Sequence, residues 1–339
     1  MDQTSAPLPW GLNETERNAI LLSSSQGNRT DAKALPISIP YLTVFINLVG
    51  LLGNGTVLWL LGFSIKRNPF SVYILNLAAA DFIFLSCQAF YTAVDIWKDS
   101  YDTSSSTDHF YVTWFLYSSF PALQGLAPLT FSAYTMGLSL LAAISTERCL
   151  SVLFPVWYRG QRPKHTSTVV CALLWIQAVL VSVLTGESCG FLARPYNQRG
   201  CYDFTVVSAV LIFFLCSLMS GSSLTLFLRV RGSFRTRRSP KIYVVILLTV
   251  LMFLLLGFPF SLYWFLLAWW KDTLLRGWHF PYFIIDILSC VNSSINPFIY
   301  FFVGSFRQQK HRESLRVVLQ RALKDDAESS RTETTEMSA

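Results

Sequence analysis

Seven apolar blocks of about twenty residues or more recur along the chain, near 40–63, 70–95, 115–149, 169–188, 202–228, 242–268 and 280–303. A helix of roughly twenty residues crosses the ~30 Å hydrocarbon core of a bilayer. In hydrocarbon every backbone N–H and C=O must be satisfied internally, which leaves the helix as the form such blocks take. The expected fold class is therefore an all-α membrane protein, a seven-transmembrane helix bundle. Only 14% of the 339 residues are charged and 52% are hydrophobic, against about 25% charged in an ordinary soluble domain. That excludes a typical cytosolic enzyme. The third block is interrupted by Pro121, Pro128 and several hydroxyl residues, yet reads as one long helix because neighbouring helices can satisfy freed backbone groups inside a bundle.

The formal charge of +7 does not point to nucleic acid, because the basic residues sit in short loops and a tail beside the apolar blocks, where they set orientation. Segments 64–69, 151–168 and 229–241 carry 11 Lys and Arg, against 5 in segments 96–114, 189–201 and 269–279. The first set is expected in the cytoplasm and the N-terminus outside. Residues 1–39 form a polar N-terminal segment without a basic start followed by an apolar stretch, so no cleavable signal peptide is visible and the first span is expected to act as anchor. That segment holds two acceptor sequons, at Asn13 and Asn28, which suit an extracellular, glycosylated position.

The seven-helix bundle covers 40–303. Beyond it, 304–324 interleaves Arg307, Lys310, Arg312, Arg316 and Arg321 with Phe306, Leu315, Val318 and Leu319, the pattern of a short amphipathic eighth helix on the inner membrane surface. Residues 325–339 are acidic and rich in Ser and Thr, with almost nothing to bury, and are expected to be a disordered cytoplasmic tail.

Ionisable residues inside spans are expensive and mark function. Here they are Asp81, Asp95, Glu147, Arg148, Glu187, Asp203 and Asp286. Five of the seven cysteines fall in spans or at their edges and are expected to pack as small hydrophobes. Cys189 and Cys201 instead bracket an outward loop of eleven residues, where an oxidising compartment favours a disulfide that would pin spans four and five together.

Asp81 in Asn76–Asp81, the run Glu147–Cys149 at the end of span three, Asn296–Tyr300 in span seven, Gly53 with Asn54 in span one, Trp175 in span four and Pro259 in span six together resemble the motif set of rhodopsin-like G-protein-coupled receptors. Within that class the segments 58–63, 73–81, 145–153 and 296–308 resemble the Mas-related receptors. The departures agree with that subgroup, of the sensory-neuron and mast-cell type. Residues 96–147 contain no Cys, and Gly257 stands where most relatives carry a Trp.

The resemblance implies a cell-surface receptor of the plasma membrane that activates heterotrimeric G proteins, Gq or Gi, in nociception, itch or mast-cell responses. It implies no enzymatic activity and no cofactor. Arg148, with Glu147 as its resting partner, is the expected switch; Asn296, Pro297, Tyr300, Gly257 and Pro259 belong to the same activation machinery. Asp81, with Asn54, Asn292 and Ser293, is expected to form a polar core that often holds sodium in the class. Gly137 replaces a hydroxyl there, so a plain hydrogen-bonded network is the reading preferred. Receptor kinases and arrestin are implied partners for the tail, whose Ser329, Ser330, Thr332, Thr334 and Thr335 would carry phosphate.

Three other classes fail on the residues. No Lys lies in any span to carry retinal, the four His lie outside the span interiors with no metal-ligand spacing among them, and no internal repeat suggests a transporter. The expected ligand is an extracellular cationic peptide or small amine. Glu187 and Asp203, each two residues from a cysteine of the proposed disulfide, are the first candidates to meet it, ahead of Asp286 in the outer part of span seven. Phe258, Tyr263 and Trp264 offer aromatic faces for a cation. The bland alternative is that Glu187 and Asp203 are solvated charges paired with Arg194 or Arg199.

Overall fold

A computed structural model describes residues 38–64, 68–101, 125–160, 163, 165–190, 192, 197–232, 241–262, 279–305, 317 and 319. The chain divides into a leading unit, Met1–Leu42, of which the described part is the start of the first helix, and a unit of Thr43–Ala339 that carries everything below. Seven helices are long and apolar enough to cross a membrane, and among the described residues there is no strand. The first runs over Ser38–Trp59 and continues as a π-helical turn, Leu60–Ser64. The others are Pro69–Tyr101, Leu126–Leu153, Thr166–Ser188, Gln198–Gly232, Lys241–Met252 extended through a π turn at Phe253–Gly257 as far as Leu262, and His279–Ser305.

Local chemistry explains several boundaries. Asn68 and Ser71 cap the second helix reciprocally, Asn68 Oδ1 accepting from the Ser71 N–H at 2.7 Å and Ser71 Oγ from the Asn68 N–H at 2.8 Å. Pro69 occupies the first helical position, where its missing N–H costs nothing. At the other end of the third helix Pro155 cannot continue the ladder, so the chain breaks at Phe154 and restarts as a short helix, Pro155–Gly160. The sequence reading had placed all of 151–168 in a loop. The expected extension of the third span over 115–124 lies outside the described residues, as do 263–268 of the sixth.

The third helix is the centre of the bundle. Almost every side chain from Ser132 to Ile144 is buried, which is why this helix can carry a mean hydropathy as low as 1.4: its hydroxyls face protein, not lipid. Thr130, Ser132 and Ser139 each return their hydroxyl proton to the carbonyl four residues back, at 2.8 Å, so they cost little inside a low-dielectric core. The fourth and fifth helices, by contrast, turn rows such as Leu173, Ile176, Val210 and Phe214 outward. Small residues let helices approach closely, as is usual where lipid gives no hydrophobic drive to association. A Cβ at Gly50 would lie 2.1 Å from Ser294 Oγ, one at Gly53 3.2 Å from Pro297 Cγ, and one at Gly186 2.7 Å from Pro128 Cγ.

Of the segment 304–324 only 304, 305, 317 and 319 are described. Val317 and Leu319 are helical, with Leu319 in the apolar core and Val317 exposed. The tail 325–339 and the sequons at Asn13 and Asn28 lie outside the described residues.

Candidate functional site

The polar residues of the spans gather along an axis through the bundle, in three groups. In the middle, Asn296 of the seventh helix donates to Asp81 Oδ2 of the second at 2.7 Å, and Ser293 also bonds the same carboxylate. Asn54 of the first helix donates to the carbonyls of Gly50 and Ser293, both at 3.0 Å. Asn292 is buried alongside, its amide nitrogen turned toward Gly257. Asn296 and Ser293 thus hold Asp81, and Asn54 joins them through the Ser293 carbonyl, linking the first, second and seventh helices. Asn296 presents its NH2 group to the carboxylate, and at Gly137 of the third helix even a Cβ would stand 4.0 Å from Asp81 Oδ1.

At one end of the third helix, Arg148 is 4% exposed and its guanidinium lies over the Phe70 ring, 4.6 Å from the centroid. Glu147 accepts a hydrogen bond from Tyr158 Oη of the short helix at 2.6 Å, and another from the Tyr73 side chain. Phe70, Tyr73 and Tyr158 were not anticipated from sequence. The signal available was Tyr158 on the far side of the Pro155 break, within one turn of a restarted helix. Pro297 lies within the seventh helix, and Tyr300 beyond it is 1% exposed, its hydroxyl without a hydrogen-bond partner among the described residues.

At the opposite end, Cys189 and Cys201 form a disulfide with Cα atoms 4.6 Å apart, and Cys87, Cys149, Cys171, Cys216 and Cys290 are free and buried. Just past Glu187, the Cys189 N–H bonds the Thr185 carbonyl, and the Cys201 N–H bonds Asn197, so both cysteines are locked to helix ends. Thr185 and Ser208 bring their hydroxyls to 3.4 Å between the fourth and fifth helices. Glu187 is half-buried, Asp203 exposed, and Arg199 exposed on the same stretch of the fifth helix.

Asp286 is half-buried and accepts a hydrogen bond from Gln88 of the second helix, an unanticipated partner. Phe258 packs edge-on to Phe213 with centroids 6.1 Å apart, while Tyr263 and Trp264 lie outside the described residues. Gly257 accepts at its carbonyl from Tyr134 Oη at 2.9 Å. Tyr134 was not singled out from sequence, although it precedes Arg148 by fourteen residues, close to four helical turns, and therefore shares its face. Trp175 donates to Asn76 Oδ1 at 3.1 Å, tying the fourth helix to the second.

The sequence matches the family described as 7 transmembrane receptor (rhodopsin family) over residues 53–300. It is 43% identical to the human Mas-related G-protein coupled receptor member X2 over 97% of this chain and 94% of that receptor. Identity to the human member X1 is 44%, over 86% of this chain and 85% of the relative. Identity to the rat Mas-related member A is also 44%, over 89% and 94%.

Proposed function

Because the chain belongs to the rhodopsin family of seven-transmembrane receptors and, within it, to the Mas-related G-protein-coupled receptors, we propose that it is the member that reads an extracellular cationic peptide or amine and passes the signal to Gq or Gi. A multi-pass receptor of this family has a ligand on one side and a G protein on the other. We assign the N-terminus and the disulfide end to the outside on the excess of Lys and Arg in the opposite loops.

The observation that carries the ligand assignment is the disulfide. With Cys189 and Cys201 Cα atoms 4.6 Å apart, Glu187 and Asp203 stand on adjoining helix ends, where two carboxylates make a field that favours a cation. Asp286, engaged by Gln88, is the third acidic residue in this reading, and Phe258, with Tyr263 and Trp264 from outside the described residues, is the aromatic candidate for a cation. Binding shifts the balance between two helix arrangements only through differential affinity for them. On the inner side Arg148 leaves Phe70 when the helix ends separate and turns to the G protein. Receptor kinases and arrestin then act on the Ser and Thr of 329–335.

The test is a panel of basic peptides and amines on cells expressing the receptor, with Glu187→Gln and Asp203→Asn combined. A loss of potency toward basic agonists, with expression intact, is expected. Unchanged potency for every basic agonist would refute the acidic site.

A further inference from the structure

Three helices each carry a polar pair spaced four residues apart in the half of the bundle away from Arg148: Thr43 and Asn47 on the first, Gln88 and Thr92 on the second, Asp286 and Cys290 on the seventh. Residues at that spacing share a helix face. All six are buried except Asp286, which is half-buried. The three helices meet through these residues. Gln88 Nε2 donates to Asp286 Oδ1, and the Cys290 thiol lies against the side chains of Gln88, Asn47 and Ser289. The Ser289 and Thr92 hydroxyls return to carbonyls of their own helices, at 2.7 and 2.8 Å. The group stands apart from the Asp81 cluster, because Gln88 follows Asp81 by seven residues, about 10 Å along the second helix.

Asn47 is the residue that packing does not explain. It is 0% exposed, and neither its Nδ2 nor its Oδ1 has a hydrogen-bond partner among the described residues. A buried amide left in that state is costly, whereas an apolar side chain of the same shape would carry no such penalty. Native proteins keep few groups of this kind. This one points at Cys290, one turn below Asp286 on the seventh helix. Asp286 adds a formal negative charge, which an amide partner such as Gln88 leaves in place, so the group as a whole favours a cation.

We propose that Asp286, Gln88 and Asn47 form a subsite for a primary ammonium group. Asp286 is the way in and supplies the charge; Gln88, with its N–H kept on Asp286, offers Oε1, and Asn47 offers Oδ1 from the floor. A primary ammonium carries three donors on one small nitrogen, one for each of the three helices. A guanidinium grips a carboxylate through both oxygens in a planar fork, and Asp286 Oδ1 is already engaged by Gln88.

The inference deepens the reading of the ligand as a cation and rests on it; the experiment reads binding alone, so the two fail separately. Purified receptor without G protein is heated with phenylalaninamide, which carries an ammonium of the peptide N-terminal type, and with Nα-acetyl-lysinamide, which carries only a side-chain ammonium. N-acetyl-phenylalaninamide and Nα-acetyl-argininamide serve as the neutral and guanidinium controls. At least one ammonium probe should raise the Tm by about 2–4 °C at roughly ten times its Kd, and the controls should not; which probe acts assigns the source of the amine. Asn47→Leu and Gln88→Leu should each weaken the binding about tenfold or more, as for losing a hydrogen bond to a charged group, and Asp286→Asn should abolish it. Asn47→Leu removes an unpartnered amide, so its ligand-free Tm should be no lower than that of the wild type, which separates lost binding from misfolding. No shift with either ammonium probe, an equal shift with the guanidinium control, or a shift untouched by Asn47→Leu overturns the proposal. A receptor that binds these amines at Asp286 and Asn47 yet answers no basic agonist in cells would count against the proposed function and leave the subsite standing.

Discussion

Asn296 donates its side-chain amide to Asp81 at 2.7 Å across the centre of the bundle, joining helices that lie 215 residues apart in the chain. The bond is buried, so removing one partner leaves the other unsatisfied, at a cost of about 1–3 kcal/mol. Asp81→Ala is expected to lower the Tm of the purified receptor, and Asp81→Asn, which keeps an acceptor oxygen, to recover most of the loss. With the Asn296 amide donating to Asp81 and Gly137 in place of a hydroxyl residue on the third helix, agonist affinity is expected to be the same in sodium and in a matched potassium buffer. A sodium-dependent shift in radioligand binding would contradict this.

Gly50→Ala places a Cβ 2.1 Å from Ser294 Oγ and 2.7 Å from Leu85 Cδ1. Ser294 also bonds the Ile46 carbonyl at 3.2 Å, so rotating it away forfeits a contact between the first and seventh helices. Overpacking of this kind costs about 1–3 kcal/mol. Gly221→Ala in the fifth helix meets nothing within 4 Å and should not lower thermal stability, since alanine is the better helix former by about 0.5–1 kcal/mol. A thermal-shift comparison of the two variants decides the point.

Replacing Cys189 and Cys201 by Ser opens a loop of separation 12, for which the chain-entropy account gives roughly 2–3 kcal/mol. The consequence expected at the site is larger than that figure suggests, because the two cysteines hold the ends of the helices bearing Glu187 and Asp203. Agonist potency should fall in the double variant even when surface expression is restored at lower temperature. Retained potency would mean that helix packing alone sets the spacing.

Arg148→Ala removes the cation over Phe70 and the charge expected to meet the G protein. Surface expression should persist, since a stacked Arg contributes only about 0.5–2 kcal/mol, whereas agonist-driven nucleotide exchange should vanish. Exchange at wild-type rates would remove Arg148 from the activation machinery.

Much of the site was legible because it is costly in lipid. Asp81, Arg148 and Asp286 stood out simply as charges in apolar blocks, and each is held by a named partner: Asn296, Phe70 and Gln88. The partners were less visible. Phe70 and Gln88 are ordinary residues whose significance arises only from which helix faces which. Tyr134 was hidden for the same reason, in a helix whose hydroxyl residues all looked alike until the π turn beside Gly257 gave one of them a carbonyl to bond.

The seven spans and their order followed from sequence alone, because hydrocarbon demands uninterrupted apolar helices and tolerates few exceptions; the family was legible only through the resemblance of motif residues such as Asp81, Arg148 and Asn296–Tyr300. The pairing of Cys189 with Cys201 was legible too, from loop length and compartment. The tertiary structure decided that the third helix is the buried one, that Pro155 begins a separate short helix, that Gly50, Gly53 and Gly186 are points of close approach, and that the sixth helix opens into a π turn fastened by Tyr134. These depend on contacts between residues far apart in the chain. Periodicity says which face of a helix is apolar, but which neighbour covers that face, and at what depth, is settled only when the helices pack together.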